Sequence, residues 1–407
     1  MRSSCVQESG RPSPGCDRRR AADRSQEGAF RSNRCLIALS IASLVAWSGG
    51  GAIAAGRYGG GPSGGGPSAP HRARATTSPY AVTILASDLP GQAAHRDPDL
   101  VNAWGLAAGP ATPWCIATNE TNAATRYTGA GSPVPPVVTV PGAPTGVVYN
   151  GGPLFVVRSG AAAAPAEFLF ATETGLISGW NIAVPSPAPA TEAITVLDRS
   201  PTGAIYKGLA IASMPGGDLL YATDFHNARV DVVDGAFNLV AGTGAFVDPR
   251  IPHRFAPFGI QNIGGTLFVT YAKQNGSRDV DVPGRGLGFV DRFDPNGRFL
   301  GRVASRGHLD SPWGLALAPP DFGSFAGDLL VGNFGNGRIN AYRQLPNGRW
   351  RFHGALRGTD GTPLVIDGLW GLAFGNDGPS GPTNVLYFAA GPQFEAHGHF
   401  GRIQPAA

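Results

Sequence analysis

Six apolar runs of similar pattern end on Asn119, Glu173, Asp224, Tyr271, Asn333 and Ala390. Four of these positions, Asn119, Glu173, Asp224 and Asn333, carry oxygens of the kind that ligate hard cations. Three or four such oxygens converging on one point could hold Ca²⁺ or another divalent cation. The competing use is local. In Asp224-Phe-His-Asn-Ala-Arg and Asn333-Phe-Gly-Asn-Gly-Arg the Asp or Asn stands just before a tight turn, where its side chain can accept hydrogen bonds from free N–H groups. Capping of this kind is the commoner role of such residues.

Histidines supply a second candidate chemistry. His226 lies two residues after Asp224, and Glu395-Ala-His397-Gly-His399 occupies the corresponding place in the last segment. If the loops share a face, His226, His397 and Glu395 could meet, a set suited to acid–base catalysis or to Zn²⁺. The spacing matches no zinc motif, and isolated loop histidines are more often solvated. Further along, Gln274–Gly288 contains Asp279 and Asp281 without the spacing of an EF-hand, and reads as a surface loop. G-x-S-x-G, H-E-x-x-H and P-loop signatures do not occur.

A third set comes from the residue before a recurring glycine: Trp104, Thr145, Lys207, Phe258, Trp313 and Trp370. Facing a common axis, they would form an aromatic collar with one ammonium, able to stack on a sugar or another flat ligand. The alternative is that these rings are core. Lys207 is one of only two lysines, which makes its place in the set notable.

The glycines themselves reveal the elements that must position these residues. Gly105, Gly146, Gly208, Gly259, Gly314 and Gly371 each precede an aliphatic residue and lie 41, 62, 51, 55 and 57 residues apart. A strand-rich unit repeating at roughly 40 to 50 residues is a propeller blade, and six copies predict six blades. The class is therefore all-β, a six-bladed antiparallel β-propeller. Its innermost strands crowd the axis, where glycine permits close backbone approach. Closing the ring requires one blade built from both termini, so the strand near Tyr80–Leu85 is expected beside Phe400–Ile403 in blade 6. The long second repeat predicts an inserted hairpin or loop over Pro153–Ala166.

Composition agrees with this organisation. Gly 60 and Pro 36 suit many short strands joined by tight turns. The formal charge of +4 is uneven: residues 1–79 hold eleven arginines against four acids, which leaves −3 for residues 80–407. The propeller thus lacks the electrostatic footprint of a nucleic-acid partner. Arg34, the apolar run from Cys35 to Trp47, and Ala52-Ile53-Ala54 form a secretory signal, with a retained N-terminal anchor as its alternative. The expected division is a basic segment and signal over 1–55, a Gly/Ser/Pro-rich linker over 56–79 and the propeller over 80–403, in an exported, monomeric protein. Cys5, Cys16 and Cys35 precede the cleavage site, so Cys115 remains as an unpaired core thiol.

The W-G-L-A openings and the Tyr221-Ala-Thr-Asp-Phe-His-Asn-Ala-Arg-Val230 turn resemble NHL-type repeats of the six-bladed superfamily that includes SMP-30-like proteins. Residues 80–403 more closely resemble a family of exported bacterial propellers without an assigned activity. That match is carried by Phe255-Ala-Pro-Phe-Gly-Ile-Gln-Asn-Ile, Ser311-Pro-Trp-Gly-Leu-Ala-Leu-Ala-Pro, Asn333-Phe-Gly-Asn-Gly-Arg-Ile-Asn-Ala-Tyr and Asp367-Gly-Leu-Trp-Gly-Leu-Ala-Phe-Gly. The resemblance implies the fold and leaves two functional classes. The first is a binding module for a small molecule, glycan or protein, using one face and the channel mouth. The second, by analogy with SMP-30-like lactonases, is a metal-dependent hydrolase or lyase with Asn119, Glu173, Asp224 and Asn333 as ligands and His226 or His397 as the acid–base residue.

Overall fold

The computed structural model describes residues 78–240 and 245–406. The expected signal and most of the linker lie outside the described residues. Each inner strand is short, apolar and carries the recurring glycine: Ala103–Ala107, Pro144–Tyr149, Tyr206–Ala212, Phe255–Ile263, Pro312–Leu317 and Leu369–Phe374. Each starts a sheet, and in the first five the strands are antiparallel and follow one another outward in chain order. The six sheets are the six blades, and the only helices among the described residues are the single turns Ser200–Thr202 and Gly323–Phe325. Among the described residues blade 3 has three strands, with a lone bridge from Val233 to Leu239 beyond them.

Blade 6 closes the ring as the repeat pattern requires. Tyr80–Ser87 pairs antiparallel with His399–Pro405, with Val82 opposite Ile403 and Ser87 opposite His399. The N-terminal strand thereby joins a sheet whose three inner strands come from the C-terminus, and His95–Arg96 pairs parallel with it at the outer edge. Closure leaves no inner edge exposed to pair with another chain. Tyr80 fixes the junction by donating from its hydroxyl to the Phe322 carbonyl at 3.0 Å. The second-repeat insertion is a hairpin, Val156–Ser159 with Ala162–Pro165.

All six inner strands share one irregularity that aims side chains at the axis. Pairing with the second strand skips two residues, for example from Ala103 opposite Thr118 to Leu106 opposite Ile116, and from Tyr206 opposite Asp224 to Leu209 opposite Ala222. The skipped pair is the residue before the repeated glycine and the glycine itself. A bulge re-aims its side chain, and here it turns Trp104 and its five equivalents inward. The glycine lies against the next blade: a Cβ on Gly105 would stand 2.6 Å from the Thr145 carbonyl oxygen, and one on Gly371 2.7 Å from that of Trp104. In blades 3 and 4 a threonine of the second strand fills the gap in the ladder. Thr223 Oγ1 accepts from Gly208 N at 2.7 Å, and Thr270 Oγ1 accepts from Gly259 N at 2.8 Å.

Most of the core lies between blades as separate apolar clusters, as expected where each sheet packs on its neighbours. Cys115 is buried and free, and burial pushes its thiol pKa far up, which keeps it inert.

Candidate functional site

One further cluster sits on the axis and contains the predicted collar. Trp104 stacks on Trp370 at 3.6 Å between ring centroids, and Phe334 stacks on Trp370 at 3.8 Å. Trp370 is therefore the middle ring of a three-ring stack. Trp313 meets Trp104 and Trp370 edge-on at 6.2 and 5.9 Å, and Phe258 meets Trp370 at 5.8 Å. Trp104, Phe258 and Trp370 are buried, whereas Trp313 and Phe334 keep partial exposure. The rings thus pack across the axis against one another and plug it, leaving Trp313 and Phe334 at the rim. Thr145, the polar equivalent in blade 2, donates to the Tyr206 carbonyl at 2.9 Å and ties blade 2 to blade 3.

Lys207 is 2% exposed. Its ammonium lies 5.1 Å from the centroid of the Trp104 ring and forms an ion pair with Glu173. From there a polar chain runs back across blades 2, 1 and 6. Asn119 Nδ2 donates to Glu173 Oε2 at 3.1 Å, and Asn102 Nδ2 donates at 3.3 Å to both Asn119 Oδ1 and Glu395 Oε1. Trp370 Nε1 donates to Asn102 Oδ1 at 3.2 Å, which joins this chain to the aromatic stack. Trp104 Nε1 is buried without a partner.

The four proposed cation ligands divide into two groups. Asn119 and Glu173 meet, but the positive charge beside them is the Lys207 ammonium. Asp224 serves its own turn, whereas the Asn333 side chain bonds only through its amide nitrogen and its Oδ1 is buried without a hydrogen-bond partner among the described residues. Asp224 accepts from Asn227 Nδ2 at 2.7 Å, Asn227 N at 3.2 Å and Ile205 N at 3.3 Å, and pairs with Arg229. Burial nevertheless raises its pKa above the usual carboxylate value. Asn333 Nδ2 donates to the His308 carbonyl at 2.8 Å and to Asn336 Oδ1 at 3.2 Å. No group of three or more His, Cys, Asp or Glu is placed to hold a metal ion among the described residues.

The histidines are also kept apart. His226 belongs to blade 3, where its Nε2 faces Arg278 Nη2 at 3.4 Å. His397 belongs to blade 6, where its Nδ1 lies 2.6 Å from Asp88 Oδ2, and the same carboxylate accepts from Gly398 N at 2.9 Å. In a ring of six, blades 3 and 6 are opposite. Glu395 reaches the axis through Asn102, but His226 does not join it.

Several residues of the site escaped the sequence reading. Asp281, in the segment read as a surface loop, lies near Lys207 and Ser311. Burial raises its pKa, against the opposing influence of the Ser311 hydroxyl and the Lys207 charge. Its Oδ2 and the Ser311 hydroxyl are buried without hydrogen-bond partners. Asn102 and Ser311 both stand just before an inner strand in left-handed backbone, at φ 51 and φ 44. Phe334 had a visible signal, since Phe225 and Phe334 each follow the strand-ending Asp224 or Asn333. On the loop of blade 6, Gln393, Phe394 and Glu395 are consecutive left-handed residues, at φ 56, 59 and 68, and Phe394 is 99% exposed.

The other end of the axis has different chemistry. A cavity of about 400 Å³ opens there, lined by the ends of the inner strands, including Leu106, Ile211, Leu317 and Phe374, with Gln261 and Asn262 as its side-chain amides. Leu106, Val147, Leu209, Ile260, Leu315 and Leu372 narrow it beneath the plug. This mouth has neither carboxylate nor histidine in its lining.

No family model matches the chain. Two curated relatives come from Acanthamoeba polyphaga mimivirus: Uncharacterized protein R648, 36% identical over 75% of this chain and 76% of its own, and Uncharacterized protein L690, 35% identical over 75% and 80%. They are viral, whereas the sequence motifs pointed to bacterial proteins. Among solved structures, a streptogramin B lyase aligns with TM-score 0.46 and 11% identity over 80% of this chain and 98% of its own. A glucose dehydrogenase aligns with TM-score 0.49 and 13% identity over 80% and 99%. At these values neither likeness carries information about activity. By its identity to the two viral proteins over three quarters of its length, the chain belongs to the same family as R648 and L690.

Proposed function

We propose that the protein is an exported binding module that takes a saccharide, or another hydroxyl-rich ring, at the loop end of its axis. The observation that carries this reading is the stack Trp104–Trp370–Phe334, which ends on a partly exposed ring beside a row of amides and carboxylates. A sugar ring presents an apolar face to an aromatic side chain while its hydroxyls donate to carboxylate and amide oxygens. Glu173 and Glu395, both partly exposed, supply such oxygens, with the buried Asn119 and the buried Oδ2 of Asp281 behind them. The left-handed run at Gln393–Glu395 supports the same face, because backbone strain of this kind concentrates where a ligand is held. The plug is preformed, so a ligand would meet rigid rings and lose little affinity to reordering.

The hydrolase alternative requires a shared cation and a nearby base. Asp224 is engaged by its own turn, Glu173 by Lys207 and Asn119, and His226 lies across the ring from His397, so this reading has the weaker support. The test is a tryptophan-fluorescence titration of the full chain with neutral mono- and oligosaccharides. A saturable change that is lost in Phe334→Ala supports the proposal. Elemental analysis after dialysis against chelator decides the alternative: a stoichiometric retained metal, with turnover of lactones or esters, would overturn the binding-module reading.

A further inference from the structure

Away from the axis, a cavity of about 480 Å³ lies between blades 3 and 4. We infer that it is a second binding site, for a small organic oxyanion such as a carboxylate or phosphate monoester with an apolar body. Its wall includes four side chains that can carry positive charge, His226, His253, Arg254 and Arg278, together with Tyr271. Tyr271 is 3% exposed, and its hydroxyl is buried with no hydrogen-bond partner. A buried unsatisfied hydroxyl in a cavity wall is a vacant donor, because leaving it unpaired is costly.

The local charges balance in favour of an anion. Asp248, also in the wall, is held by Arg250 Nε at 3.0 Å and Arg302 Nη2 at 2.6 Å, and Arg302 also pairs with Asp291. Both arginines are thereby held by acids of their own. Asp279 accepts from Asn275 Nδ2 at 2.6 Å and Ser277 Oγ at 3.0 Å. Among the described residues neither Arg254 nor Arg278 has an acidic partner, and Arg278 is directed at the His226 ring instead.

Backbone strain converges on the same cavity. Phe246, Arg254 and Arg278 stand at φ 60, 69 and 64, and all three line it. Left-handed backbone disfavours side-chain-bearing residues, and such strain is retained where geometry serves a ligand. Ile251 and Phe255 supply an apolar wall for the body of that ligand.

The test is isothermal titration of the full chain with inorganic phosphate and, separately, with benzoate, each against sodium chloride at matched ionic strength. Binding of either probe beyond the chloride control supports the site, and the preferred probe identifies the head group. Arg278→Gly relieves strain as it removes charge, so it should keep or raise the melting temperature while weakening binding at least tenfold. Arg254→Ala should weaken it similarly. Equal binding by wild type and both variants, or no binding beyond chloride, would overturn the inference.

Discussion

Lys207 of blade 3 and Glu173 of blade 2 form an ion pair at the axis, with the ammonium over the ring of Trp104. The pair lies where a ring of oxygen ligands was expected to surround a cation, and the cation is part of the chain. Removing one partner of a buried pair leaves the other charge without compensation, which costs about 3–5 kcal/mol. Glu173 keeps some solvent, so Lys207→Met is expected to lose about 3 kcal/mol. Lys207→Met with Glu173→Met should lose less than the sum of the two single changes, as coupled neighbours do. Urea denaturation of the three variants checks this.

Asp291 predicts an unusual pH dependence. Burial raises its pKa to about 7, opposed by Arg302 and reinforced by Asp248. A carboxylate with a raised pKa keeps its proton longer in the folded state than in the unfolded chain. Between roughly pH 4 and pH 7 the folded form therefore binds more protons, and stability falls as pH rises through that window. His308 and His399, whose pKa values burial lowers, act in the opposite sense at the acidic end. The difference between wild type and Asp291→Asn isolates the carboxylate: the variant's melting temperature should decline less between pH 5 and pH 7.5. A parallel decline in both proteins would refute the assignment.

The glycine ring predicts a sharp contrast between two Gly→Ala changes. At Gly105 the new methyl would press on backbone atoms of blade 2, 2.6 Å from the Thr145 carbonyl oxygen and 2.9 Å from Val147 N. Neither atom can move without opening the ring, so Gly105→Ala should cost about 3 kcal/mol or more, the order of a severe core lesion. Gly264 has φ +59 but nothing within 4 Å of its would-be Cβ. Gly264→Ala should cost only about 1 kcal/mol, the strain of left-handed alanine. Thermal melts of both variants compare them directly.

Phe394 predicts a trade between stability and binding. It is fully exposed in a left-handed conformation that glycine adopts freely. Phe394→Gly should hold or raise the melting temperature. If the loop end of the axis receives the ligand, the same change should weaken saccharide binding several-fold, measured by the fluorescence titration.

Much of this architecture was legible because repetition amplifies weak signals. A single Trp-Gly-Leu says little, but six such openings at propeller spacing define six inner strands, and closure then requires Tyr80–Ser87 to join His399–Pro405. The repeats also identify which side chain of each blade stands before the glycine, and the bulge common to all six strands turns that position inward. Sequence could not decide what the strand-end residues do. Asn119, Glu173, Asp224 and Asn333 occupy equivalent positions, yet the first two join the axial chain, Asp224 caps its turn and Asn333 donates to Asn336 and the His308 carbonyl. The difference lies in neighbours distant in sequence: Lys207 and Asn102 draw Glu173 and Asn119 inward, while Asn227 and Asn336 hold Asp224 and Asn333 locally. For the same reason Asp281 read as a loop residue until the fold brought it near Lys207. Periodicity sets which residues face the axis, because strand geometry is local. Pairing of charges and amides across the axis depends on which blades stand beside or opposite one another, and only the closed ring fixes that.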